Sequence, residues 1–204
     1  MISFPAHQKG LSLVELLIAM LLGLILTAGA LQMMLSSQEI YQTTDTLSRI
    51  QENGRFTLNF LAKDIRMAGH NTIKDADGKV FWYGACGASD PCTTNGGGND
   101  SDQIGILMDP SNDLDCLGNA VADEDTVIAN VYYLDDPEND LINSLYCRGY
   151  DVSANAWISN TQPLVDGVEN MQILYGVTDP VTNAITSYVD AGDVADWASI
   201  GAVK

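Results

Sequence analysis

Positive charge is scarce in this chain. Lys and Arg number nine against 27 Asp and Glu over 204 residues, a formal net charge of −18. The deficit lies in one part. Residues 1–70 hold five bases and five acids, whereas residues 71–204 hold four bases and 22 acids. A surface of that sign repels nucleic-acid phosphates, so direct nucleic-acid binding is not expected. Histidine is nearly absent, with only His7 and His70. That leaves little for a Ser-His-Asp site, and no P-loop, GxSxG or metalloprotease motif is present. The sequence therefore predicts no enzyme, no catalytic residue and no cofactor.

What is present is one long apolar run. From Leu11 to Leu31 the only clearly polar side chains are Ser12, Glu15 and Thr27. About 20 such residues cross a hydrocarbon core of roughly 30 Å. The run exceeds the h-region of a secretory signal, about 7–15 residues, and no small-x-small cleavage site follows it. The leader, residues 1–10, carries Lys9 and no acid, which favours a cytoplasmic N-terminus and places the rest beyond the membrane. A lone acid near the start of a membrane helix is costly, so Glu15 calls for a partner.

Gly10, an apolar Leu11 and Glu15 five residues past the glycine, behind a short basic leader, closely resemble the N-terminus of a type IV prepilin. The resemblance implies cleavage by a prepilin peptidase between Gly10 and Leu11, with methylation of the new N-terminus. It also implies that Glu15 serves subunit assembly by pairing with a neighbour's terminal ammonium. The family most often has Phe where Leu11 stands, a departure that bears more on methylation than on cleavage.

Beyond the membrane segment the helical pattern continues. Ile40, Leu47, Ile50, Leu58, Leu61 and Ile65 recur at three-, four- and seven-residue steps, with a candidate bend at Asn53-Gly54 and a stop at Gly69. A helix from Leu11 to about Met67 would be roughly 85 Å long, about 50 Å of it outside the bilayer. Its second half needs an apolar partner, and the head is available. After His70 the composition turns to loops and strands. Strands are expected at 103–108, 126–134, 141–148, 169–177 and 185–189, the fourth with Met171, Ile173, Tyr175 and Val177 alternating. The expected fold is α+β and pilin-like: a long N-terminal helix on an antiparallel sheet. Its divisions are a leader over 1–10, a transmembrane helix over 11–31, a stalk over 32–69 and a β-rich head over 70–204. Residues 197–204 read as a strand just begun, which suggests truncation and an unpaired edge.

Cys86, Cys92, Cys116 and Cys147 form an even set beyond an export segment, which reads as disulfides. The pairs 86–92 and 116–147 are preferred among three possible pairings. A zinc site is the rival, but Cys-x-x-Cys spacing is lacking. Most loop acids are expected to be solvated, including those at 123–125 and 135–136. Asp75, Asp77, Asp113 and Asp115 are weak calcium candidates, none within a full EF-hand loop. Trp82, Tyr83, Tyr132 and Tyr133 serve packing more readily than an adhesive patch.

Residues 51–69 and 163–177 look like the stalk end and a late strand of PilW-type minor pilins. The resemblance implies a non-enzymatic subunit for initiation or tip assembly of a type IV pilus, a fibre of adhesion and motility. Its partners would be other minor and major pilins, met through the N-terminal helix, with storage in the bacterial inner membrane and the head in the periplasm. The alternatives are a J-type minor pseudopilin of type II secretion and a single-span protein with a ligand-binding head.

Overall fold

The computed structural model describes residues 12–69, 79–87, 91–97, 100–108, 114–121, 126–135, 143–158 and 161–204. One helix, α1 (Leu13–Met67), is followed by eight strands. By internal contacts the chain forms two units, Met1–Arg49 and Ile50–Lys204.

The first unit contains the apolar part of α1. Leu, Ile, Met and Ala dominate it, residues that lose little rotamer freedom in a helix. Threonines along α1 turn their hydroxyls back onto the helix. Thr27 donates to the Gly23 carbonyl at 2.9 Å, and Thr43 to that of Glu39 at 2.9 Å. Such back-bonding gives each hydroxyl a partner within the helix itself.

The second unit begins with the last turns of α1. The helix runs without interruption through Asn53-Gly54, the candidate bend. Asn53 instead uses its side-chain amide, donating to the Asp166 carbonyl at 3.0 Å. The helix ends where the sequence suggested. Gly69 takes φ +72°, the left-handed conformation that suits glycine after a helix, and its N–H reaches the Leu107 carbonyl at 2.9 Å.

Five strands form the main sheet: β1 (Ile104–Met108), β2 (Ile128–Asp135), β3 (Ser144–Asp151), β4 (Ala156–Trp157) and β5 (Gln162–Asp166). The order is β1-β2-β3-β4, with β5 also pairing β3, all antiparallel. A second sheet has order β7-β6-β8, from β6 (Tyr175–Thr178), β7 (Ile185–Val189) and β8 (Ile200–Val203). The β6–β7 hairpin is closed by Asp179, whose carboxylate accepts from the Thr182 and Val181 N–H groups. Those donors, Thr182 first, hold its carboxyl below the usual range.

Period-2 alternation puts opposite residues of β2 into two cores. Tyr132 faces Phe60, Leu61 and Ile65 of α1, together with Ile104, Ile106, Leu145 and Tyr175. Ala129 and Val131 face the other side, against Cys86, Cys92, Leu107 and Tyr150. Cys86 and Cys92 cover this second face, so β2 is buried on both sides. Gly105 permits that cover, since a Cβ there would lie 2.9 Å from the Cys92 Cβ.

Three expectations need correction. The segment 169–177 is a strand only from Tyr175. Before it, side chains share the work with main-chain bonds: the Met171 N–H donates to Ser101 Oγ at 3.2 Å and the Ile173 N–H to Asp102 Oδ2 at 2.6 Å, while the Met171 carbonyl accepts from the Asp102 N–H and Leu174 pairs with Lys204. The alternating burial of Ile173 and Tyr175 is nonetheless real. The C-terminal segment, expected as a strand from residue 197, is first a 3-10 turn over Trp197–Ser199 and then a four-residue strand that pairs β6 on one side and keeps an edge on the other among the described residues. And the single sheet expected for the head is two sheets, with β4 and β5 unanticipated.

Candidate assembly surface

Every residue from Ser12 to Ile50 is exposed, including Leu16, Leu17, Ile18, Leu21, Leu22 and Ile25. The helix contains a window apolar and long enough to cross a membrane, with none of it buried. A helix apolar all round and without protein cover requires lipid or other helices around it. Glu15 lies in its first turn, the one acid between Ser12 and Leu31. Gly10 and Leu11 lie outside the described residues.

Along the stalk the head covers only part of the predicted apolar stripe. Leu61 and Ile65 pack on the head core, but Ile50 and Leu58 are 60% and 70% exposed. The buried residues are Thr57 and Asp64. The helix is turned so that a carboxylate enters the interface. Asp64 Oδ2 accepts from the Tyr132 hydroxyl at 2.5 Å and from Asn130 Nδ2 at 3.0 Å. Burial, then the Asp64 charge and its hydrogen bond, push the Tyr132 hydroxyl far above its ordinary pKa. Asn130 in turn accepts from the Cys116 N–H at 3.1 Å. Sequence reasoning missed this network. The one available signal was Asp64 at three- and four-residue spacing from Leu61, Phe60 and Ala68.

The cysteines are joined as Cys86–Cys92 and Cys116–Cys147, with Cα separations of 5.2 and 6.4 Å. Of the calcium candidates, Asp75, Asp77 and Asp113 lie outside the described residues. Asp115 is buried, and its carboxylate accepts from the Leu117 and Asn119 N–H groups at 2.9 and 2.8 Å and from the Asn119 amide. It thus acts as the organiser of a turn. Gly149 makes room for it, since a Cβ there would lie 2.6 Å from the Asp115 Cβ. Among the described residues no group of three or more His, Cys, Asp or Glu is placed to hold a metal ion. The aromatics divide likewise. Tyr132 is core, Tyr133 stacks on Tyr146 at 5.7 Å, and Tyr83 stacks on Trp197 at 5.5 Å, so no shared patch forms.

An apolar N-terminal helix leading into antiparallel sheets is the arrangement of a pilin, a membrane-anchored structural subunit. Two segments of the chain match family models. Residues 5–31 match the family model described as Prokaryotic N-terminal methylation motif, and residues 131–204 match that described as Type IV Pilus-assembly protein W. The chain is therefore similar to PilW-type pilins over its N-terminus and over the part of the head from β2 to β8. The stalk end at 51–69, which also looked PilW-like, lies outside both matches. No curated protein and no solved structure matches the chain.

Proposed function

We propose that this protein is a minor pilin, a non-enzymatic subunit that joins other pilins at the initiation or tip of a type IV pilus. The observation that carries the reading is the pairing of a methylation-motif N-terminus with a PilW-like head on one chain. A prepilin peptidase removes residues 1–10, leaving Leu11 as the first residue. The subunit is stored in the inner membrane through 11–31, with the acidic, oxidised head in the periplasm. Assembly transfers α1 from lipid to a bundle of like helices. There Glu15 loses hydration, at a cost of several kcal/mol for an unpaired ion, and the terminal ammonium of a neighbouring subunit offsets it. That pair also sets the axial register between subunits.

The test is deletion of the gene in its own host, with surface pili counted before and after complementation. The expected result is few or no pili, restored by the intact gene. Undiminished piliation, with loss of protein secretion instead, would indicate a secretion pseudopilin.

A further inference from the structure

The polar contact between α1 and the main sheet continues into a disulfide. Asp64 accepts from Tyr132 and Asn130 of β2. Asn130 shows its NH2 to the carboxylate because its carbonyl oxygen is held by the Cys116 N–H at 3.1 Å. Cys116 is fixed by its bond to Cys147, and Cys147 lies directly across the β2–β3 ladder from Tyr132. An amide side chain has one donor end and one acceptor end. If the Cys116 N–H moves away, the buried Asn130 carbonyl oxygen loses that donor, and an unmade buried hydrogen bond weakens the network around Asp64. The reverse orientation of the amide sets a carbonyl oxygen against a buried carboxylate, which is unfavourable where charges are poorly screened.

The two disulfides differ in access. Cys86, Cys92 and Cys147 are all buried, whereas Cys116 is half-buried, so 116–147 is the disulfide with a partly exposed cysteine. We infer that the Cys116–Cys147 bond is a redox latch: its formation locks the end of α1 to the head, and its reduction releases that end while the sheets persist. This goes beyond the proposed pilus role and does not depend on it. In the releasing step a dithiol thiolate attacks the Cys116 sulfur, and Cys147 leaves as a thiolate. The second thiol of the reductant then attacks the mixed disulfide, freeing Cys116 and closing the reductant's own disulfide. Oxidation by a disulfide-donating partner is the reverse. A chain still reduced therefore keeps its α1 end loose, and the head sets onto the stalk only in an oxidising compartment.

The experiment is hydrogen exchange on the full chain in detergent micelles, oxidised and after treatment with dithiothreitol, with thiol content tracked by mass. Exchange of the α1 amides at 60–67 is expected to quicken by about tenfold or more once the Cys116–Cys147 bond is reduced, while amides of β6 and β7 keep their protection. Cys86→Ser/Cys92→Ser, which retains the other bond, is expected to leave 60–67 protected. Should cysteine variants fold poorly, Asn130→Ala decides with both bonds intact: it is expected to reproduce the local quickening. Unchanged protection at 60–67 in the reduced protein, or in Asn130→Ala, overturns the latch. So does loss of protection across both sheets together, which would make the bond a general stabiliser.

Discussion

The hydroxyl of Tyr132 in β2 donates to the buried carboxylate of Asp64 in α1 over 2.5 Å. This places an ion at the seam between helix and sheet, where apolar side chains would ordinarily suffice. Removing one partner leaves the others buried and unpaired. Asp64→Ala should destabilise the head by about 3 kcal/mol, whereas Tyr132→Phe, which removes a single donor, should cost about 1 kcal/mol. Urea unfolding followed by tryptophan fluorescence measures both.

Tyr132 and Tyr175 predict a loss of stability in alkali. Burial, chiefly, pushes both hydroxyls far above the ordinary tyrosine value of 10.0. When unfolded they ionise near that value; when folded they keep their protons. The unfolded state thus binds fewer protons above pH 10, and stability is full below that pH and falls as pH rises past it. Two such groups give a slope of about 2.7 kcal/mol per pH unit. Tyr175→Phe should roughly halve the contribution, as measured by denaturation midpoints between pH 9 and pH 11.

Much of this fold was legible because its signals are local. The apolar run, the glycine stop at Gly69 and the Ile185–Val189 strand need only periodicity and turn residues. Pairing of the cysteines was favoured by the short Cys86–Cys92 spacing. The rest depended on contacts distant in sequence. The stripe held at Leu61 and Ile65 but ran past the head's cover at Ile50 and Leu58, and the buried face also takes in Asp64, whose two donors come from β2, distant in sequence. Residues 169–174 alternate like a strand, yet Asp102 and Ser101, some 70 residues earlier, supply part of their hydrogen bonding. The pairing of β5 with β3 shifts register beside Pro163, a residue that cannot donate to the ladder.

The cysteine pairing has a direct chemical check. Peptide mapping without reductant of protein taken from the periplasmic face should give Cys86 joined to Cys92 and Cys116 joined to Cys147. Four free thiols there would remove the oxidised-head argument.

Processing should depend on Gly10. A peptidase cleft that closes on extended backbone has no space for a branched side chain. Gly10→Val should retain the leader in cells with an active prepilin peptidase, visible as an unshifted band. Mature-size protein from that variant would place the cut elsewhere.

Glu15 tests the central claim most directly, since it separates anchoring from assembly. In a strain where this subunit limits piliation, the measurement is the amount of partner pilin that co-purifies with the Glu15→Ala protein. An apolar replacement leaves the helix as fit for lipid as before, so insertion and leader removal should match wild type. Association with other pilins should fall steeply, and surface pili with it, because the buried ammonium of the neighbour would lack its counter-charge. Co-purification and piliation at wild-type levels would contradict assembly through this charge.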